Sequence, residues 1–329
     1  MDTTRADVAS PVQLRTHRPG DAARLVDLVN KAMPADSITL DSFTENIFLD
    51  TNFDPEGLIV AESNGNPIGL VYAVRRRSGL GIPVPDDGGW ITLFAVDPEH
   101  RRRGIGAALI SAAVDFLRRG GSAWIVVSGY PPAYFVPGVD AELYPEAIAC
   151  LEKIGFEAVS TPVAMDAPLH SYVTPAEVTD LIATREREGY TFADAGPDDL
   201  AELIDHTATD LAPDWGEALR ASALRHRRID RTRIARDPGG AIVGFATYAA
   251  YSGIVDRFGP FGVLGDQRGT GLGRILLHQT MTKMRAEGCH TAWFLWTGEN
   301  SPAGHLYRSA GFVTTRRFQV LKLTLHGEE

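Results

Sequence analysis

Two short stretches of this chain join arginine to closely spaced glycine: Arg101-Arg102-Arg103-Gly104-Ile105-Gly106 and Arg268-Gly269-Thr270-Gly271-Leu272-Gly273. Each stands between an apolar run and a segment of helical periodicity, so each reads as a strand-to-helix turn. The first N–H groups of a helix lack intrahelical partners and carry the positive end of its dipole, which makes such a turn an anion site. Glycine permits positive φ and close approach of a ligand to the backbone. Arginines ahead of it add charge and donors at the rim. The chemistry on offer is phosphate binding. A single Gly-x-Gly is also what an ordinary βα turn needs, but two copies, each with Arg three positions ahead of the first Gly, favour the phosphate reading.

Other phosphate motifs fail on their own terms. A dinucleotide fingerprint requires a third glycine where Leu109 and Leu276 stand, and neither turn opens its half's first βαβ unit. A Walker loop requires Gly-Lys-Ser/Thr, which follows neither turn.

The elements that must position these turns repeat in order. In the first half, Val12–Arg15 reads as a strand. A helix follows Pro19-Gly20-Asp21, with Ala22, Leu25, Val26, Leu28 and Val29 at helical spacing. A second helix is expected near Leu40–Leu49. The strands Leu58–Glu62 and Ile68–Val74 flank the hairpin signal Asn64-Gly65-Asn66. A Gly/Pro/Asp-rich loop covers Arg75–Gly89, and a strand then leads into the turn. The following helix is expected to bury Ile105, Ala108, Leu109, Ala112, Ala113, Phe116 and Leu117. The strand Ala123–Val127, an aromatic and proline-rich loop over Ser128–Gly138, the helix Pro145–Lys153 and a last strand ending near Asp166 complete the half. A capped helix starting at Thr174-Pro175-Ala176-Glu177 reads as a linker.

From Tyr190 the order returns, with a helical segment near Trp215–Arg228 and a hairpin turn at Asp237–Gly240. Gly69/Gly244, Gly104/Gly271, Gly120/Gly288, Trp124/Trp293 and Gly155/Gly311 are paired landmarks in the same order. Five matches in sequence argue for a duplicated domain. The expected division is a flexible 1–11, an N-terminal domain 12–168, a linker helix 169–189 and a C-terminal domain 190–329.

Composition sets outer bounds. The chain has 329 residues, 44% hydrophobic and 22% charged, and a formal net charge of −10. That is the profile of a globular protein large enough for two domains. The acidic balance argues against nucleic acid as a partner and suits a cationic amine. Two cysteines, Cys150 and Cys289, are too few for a disulfide framework and lack zinc spacing, so no metal is expected. No signal peptide or membrane span is read, and a cytoplasmic monomer or homodimer is expected.

Taken together, Arg101-x-x-Gly104-x-Gly106, Arg268-x-x-Gly271-x-Gly273 and the approach Val96-Asp97-Pro98-Glu99-His100-Arg101 resemble the GNAT acyltransferase superfamily. The resemblance covers about 12–166 and 190–325. It implies two tandem GNAT folds of α/β (α+β) class, each a mixed, mostly antiparallel twisted sheet flanked by helices. It also implies acetyl-CoA as acyl donor. Phe94, Ala95 and Val96, and Phe261, Gly262 and Val263, would pair with the pantetheine arm. Arg101, Arg103, Gly104, Ile105 and Gly106, and Arg268, Gly269, Thr270, Gly271, Leu272 and Gly273, would hold the pyrophosphate.

A second family pattern, Asn-x-x-Ala-x-x-x-Tyr followed by Gly-Phe, matches Asn300, Ala303, Tyr307 and Gly311-Phe312. The resemblance makes Tyr307 a proton donor to the departing thiolate. In the first half the equivalent positions hold Tyr144, Ala147 and Leu151, and leucine donates no proton; Tyr134 or Tyr144 could substitute. This favours the second half as the catalytic one. Neither strand ahead of the turns carries a carboxylate. Asp256 and Glu299 are the nearest acidic candidates for a base, with solvated loop charges as the plainer reading. His206, His278 and His305 read as surface residues. The expected activity is N-acetylation of a small-molecule amine. The competing reading is a CoA-binding regulatory or structural protein.

Overall fold

The computed structural model describes residues 12–76, 87–131 and 133–325, with the backbone alone at His226. The flexible segment expected at 1–11, most of the Arg75–Gly89 loop and Pro132 lie outside the described residues. Up to Ser160 the elements are β1 (Gln13–Thr16), α1 (Ala22–Ala32), α2 (Leu40–Phe43), β2 (Leu58–Ser63), β3 (Asn66–Arg75), β4 (Gly88–Val96), α3 (Ile105–Arg119), β5 (Trp124–Val127), α4 (Pro145–Ile154) and β6 (Glu157–Ser160). A π turn over Thr44–Phe48 prolongs α2. Then come β7 (Pro162–Pro168), α5 (Ala176–Arg187), β8 (Thr191–Asp194), α6 (Leu200–His206), α7 (Pro213–His226), β9 (Thr232–Arg236), β10 (Ile242–Tyr248) and β11 (Phe258–Val263). The chain ends with α8 (Leu272–Ala286), β12 (Thr291–Gly298), α9 (Pro302–Ser309), β13 (Val313–Arg317) and β14 (Val320–Thr324).

These elements form two compact units. One runs to Ser160 and takes back the chain from Phe318, and the other holds Thr161–Arg317. The first contains a sheet of order β1-β2-β3-β4-β5-β14-β6. Its β4/β5 pair is parallel, from Gly88↔Trp124 to Ile91↔Val127. The second contains two sheets, β11-β10-β9-β8 and β12-β7-β13. The expected boundaries at 168 and 190 need correction, because the halves exchange strands. β7 pairs with β12 and β13 (Met165↔Phe294, Asp166↔Val313). β14 pairs with β5 and β6 (Leu321↔Val127, Val320↔Ser160). An apolar run such as Val163–Ala167 must be buried between partners, but its period is the same whichever sheet receives it. The helix read as a linker, α5, packs on α8 within the second unit, with Val178 fully buried.

Local sequence accounts for the frame around each turn. In α1, Leu25, Val26, Leu28, Val29 and Ala32 are buried at helical spacing. In α3 the apolar stripe buries Ile105, Leu109, Ala113, Phe116 and Leu117, as expected. It also takes in Ile110 and Val114, whereas Ala108 faces outward. A side chain at Gly69 on β3 would stand 2.9 Å from Leu109 of α3, and one at Gly244 on β10 would stand 3.0 Å from Leu276 of α8. The same close strand-to-helix approach thus occurs in both copies and forbids a side chain in both.

Candidate active site

Gly104 and Gly271 are the N-caps of α3 and α8, in the left-handed region at φ 79° and 86°. A residue with a Cβ is disfavoured there. Each turn therefore presents the unpaired N–H groups of a long helix in the manner read from sequence. Their surroundings differ.

The first turn opens on a cavity of about 480 Å³. Nothing lies within 4 Å of a Cβ built at Gly104. The cavity exists because β4 and β5 part company. Their pairing ends at Ile91↔Val127, and the Ser128 N–H donates to the Ile91 carbonyl at 2.7 Å. Beyond that point β4 continues alone on this side, while the chain after β5 turns away. The Ser128 hydroxyl donates to the Val136 carbonyl, which pins the departing loop. The cavity at this V is lined by Thr92 to Val96, by Phe135 and Val136, and by Tyr144 with Ala147 and Cys150 of α4. Met33 and Ile38, from the segment after α1, also line it.

Of the residues that the resemblance assigns to the donor in this half, Phe94, Ala95, Val96, Arg101, Gly104, Ile105 and Gly106 line this cavity and Arg103 does not. Arg101 donates from Nε to the Val96 carbonyl at 3.2 Å and from Nη2 to the Ala32 carbonyl at 2.8 Å. It therefore fixes the turn to α1 rather than standing as a free rim charge. Arg102, part of the basic stretch but not among the residues expected to hold the pyrophosphate, is exposed and lines the cavity. Burial pushes the Cys150 thiol up, so it stays a neutral wall group. The Leu151 side chain, at the position expected to hold a proton donor, is fully buried in the apolar core. Tyr144 faces the cavity from the start of α4, and Tyr134 does not line it.

The second turn is covered by its own unit. A Cβ at Gly271 would lie 2.8 Å from Leu181 of α5, and Arg185 of the same helix donates from Nε to the Thr270 carbonyl at 2.9 Å. A Cβ at Gly262 would lie 2.9 Å from Trp215 and 3.0 Å from Leu211. The register of β11 against β10 shifts at Gly259-Pro260, the irregularity that proline predicts. Where the first unit has space, the second has rings. Tyr307 stacks among Phe294 (4.4 Å between centroids), Phe312 (5.5 Å), Phe258 and Phe261 (6.0 Å each). Burial pushes its hydroxyl well above the ordinary tyrosine value. Asn300 lies in an exposed turn before α9. None of Phe261, Gly262, Val263, Arg268, Gly269, Thr270, Gly271, Leu272, Gly273, Asn300 and Tyr307 borders the large cavity.

Glu299 accepts from Arg317 at 2.6 Å and Thr314 at 3.1 Å. Its slight burial would raise the carboxyl, but these partners hold it below the ordinary range. His278 is not a surface residue. It is 1% exposed, with Tyr172 Oη 2.5 Å from Nδ1. Burial first, then the nearby Arg274, lowers its pKa to about 4. The periodicity of α8 places it on the buried face, which a polar residue type hid from the sequence reading. Among the described residues no group of three or more His, Cys, Asp or Glu is placed to hold a metal ion. No described helix is long and apolar enough to cross a membrane.

The acetyltransferase (GNAT) family matches the chain twice, over residues 23–134 and 200–312. A mycothiol acetyltransferase of Clavibacter michiganensis is 26% identical over 294 residues, covering 88% of this chain and 87% of that protein. Among solved structures, the glucosamine N-acetyltransferase region of a fungal multi-domain β-N-acetylglucosaminidase superposes with a TM-score of 0.82 at 17% identity; 95% of this chain is covered, and 38% of that one. A tandem GNAT protein from the clavulanic acid biosynthesis pathway superposes with a TM-score of 0.64 at 17% identity, covering 97% of this chain and 100% of that one. With a glycine-rich strand-turn-helix in each of two repeated units, each under its own family match, the chain belongs to the acetyltransferase (GNAT) family.

Proposed function

We propose that this protein is an acetyl-CoA-dependent N-acetyltransferase acting on a small-molecule amine, with the first unit as its working half. This reverses the preference that Asn300 and Tyr307 gave to the second half. The observation that carries it is the contrast at the turns: Gly104 faces an open cavity of about 480 Å³, while Gly271 faces Leu181 at 2.8 Å.

The cavity suits the donor. The unpaired N–H groups at the start of α3, with exposed Arg102 beside them, are matched to a pyrophosphate. The edge of β4 from Thr92 to Val96, released from β5, can take the amides of a pantetheine arm, and the apolar walls exclude water around the thioester. In the reaction a neutral amine nitrogen bonds to the acetyl carbonyl carbon and the carbon–sulfur bond breaks. The amide forms, CoA leaves as thiolate, and one proton passes in net from nitrogen to sulfur. Tyr144, the phenol on the cavity wall, is the residue we assign to protonating the sulfur. The second unit keeps the fold and serves as support. The acetyl transfer named for the mycothiol acetyltransferases supports the reaction class.

The test is thiol release from acetyl-CoA across a panel of amines, with CoA binding followed by calorimetry. Turnover together with one CoA bound per chain supports the reading. CoA binding without turnover on any amine would favour a regulatory or structural CoA-binding protein.

A further inference from the structure

The register of β4 against β3 skips one residue: Tyr72 faces Leu93 and Ala73 faces Ile91, so Thr92 is the extra residue of a β-bulge. The same residue is the first on β4 beyond the last pair with β5, Ile91↔Val127. Thr92 thus sits at the apex of the V. It is 4% exposed and lines the cavity, and its Oγ1 has no hydrogen-bond partner among the described residues. A buried hydroxyl without a partner is costly and calls for an explanation. The other polar groups at the apex do not supply one, since the Ser128 hydroxyl is engaged with Val136.

Distance along the strand says what would meet it. Thr92 precedes Val96 by four strand residues, about 13 Å at the usual rise. A donor held by its pyrophosphate at Gly104 and extended along β4 carries its thioester toward the apex. We infer that the Thr92 hydroxyl donates a hydrogen bond to the acetyl carbonyl oxygen of the donor, making Thr92 a catalytic residue of the acetyl transfer. The inference rests on the proposed use of the first cavity. As the amine nitrogen adds to the carbonyl carbon, that oxygen gains negative charge, and a donor fixed by a β-bulge stabilises the charge without reorganising. When the carbon–sulfur bond breaks, the electron pair goes to sulfur, the carbonyl reforms and Thr92 keeps its proton.

The experiment uses the full chain with acetyl-CoA labelled with carbon-13 at the carbonyl. Its carbonyl stretch is read by isotope-edited infrared spectroscopy in wild type, Thr92→Val and Thr92→Ser, and CoA binding is measured by calorimetry in each. We expect the bound carbonyl at lower frequency in wild type than in Thr92→Val, recovered in Thr92→Ser, with CoA affinity within twofold throughout. Thiol release with an accepted amine should fall about 100-fold in Thr92→Val and recover in Thr92→Ser. An identical carbonyl frequency in wild type and Thr92→Val, with CoA still bound in the first cavity, overturns the role of Thr92 alone. CoA binding indifferent to Gly106→Phe, which fills that cavity, overturns the reading beneath it as well.

Discussion

Gly104 and Gly271 cap helices of equal length, 15 residues each, with nearly the same backbone angles. Judged by backbone alone, the two turns are equivalent. Their neighbours make them different. Over the first, β4 and β5 separate and leave a cavity. Over the second, Leu181 and Arg185 of α5 lie on the turn, Trp215 and Leu211 lie on the strand, and four phenylalanines surround Tyr307. A motif guarantees the N–H groups it presents, but not that the space in front of them is empty.

The largest effect that can break this comparison is steric. A Cβ at Gly106 would meet Cys150 and Val96 at 3.8 Å, an ordinary contact, so a large side chain there projects among the cavity walls without backbone strain. Gly106→Phe should weaken CoA binding by about 100-fold or more through lost contact area, whereas Arg268→Ala at the second turn should leave it within twofold. Calorimetry with CoA decides. If Arg268→Ala has the larger effect, the assignment of roles is wrong.

The phenols sharpen it further. Tyr144→Phe should lower kcat by about 100-fold, the usual scale for a lost general acid, with the KM for acetyl-CoA little changed. Tyr307→Phe should leave kcat unaltered. Steady-state thiol release measures both.

A smaller effect separates the turns by stability. Alanine is strained by positive φ at both Gly104 and Gly271, but only at Gly271 does its Cβ also strike Leu181 at 2.8 Å. Gly271→Ala should cost about 1 kcal/mol more than Gly104→Ala, while only Gly104→Ala should disturb CoA binding. Urea unfolding with and without CoA compares them.

The smallest effect belongs to the second unit alone. His278 is neutral in the folded chain down to about pH 4, against an ordinary value of 6.5. On unfolding below 6.5 it takes up a proton. Stability therefore is full above pH 6.5 and falls as pH drops toward 4. His278→Gln should flatten that acid limb in thermal unfolding between pH 7 and pH 5. An unchanged slope would mean that the carboxylates alone set it.

Several features were legible because they depend on local chemistry. The helix turns need glycine at positive φ, the strands announce themselves by apolar runs, and Gly69 and Gly244 mark the same close packing twice. Thr92 was legible only as a polar residue within the apolar run Ile91–Val96, since its meaning needs the register of β3 and the end of the β5 pairing. Tyr144 was one of two phenols that could replace the missing donor, and of the two only Tyr144 lines the cavity. His278 lies on the buried face of α8, a place that its polar residue type does not announce.

By itself, the sequence determined the family and the two glycine turns, because each rests on residues within a few positions of one another, and it determined the duplication because those short patterns recur in the same order. The tertiary structure alone decided which strands complete which sheet, since β7 and β14 pair across more than a hundred residues. It alone decided which turn stands open. Whether α5 lies on Gly271, or the loop after β5 leaves Gly104 clear, is a matter of packing between segments far apart in the chain. No local pattern encodes the empty space that a ligand needs.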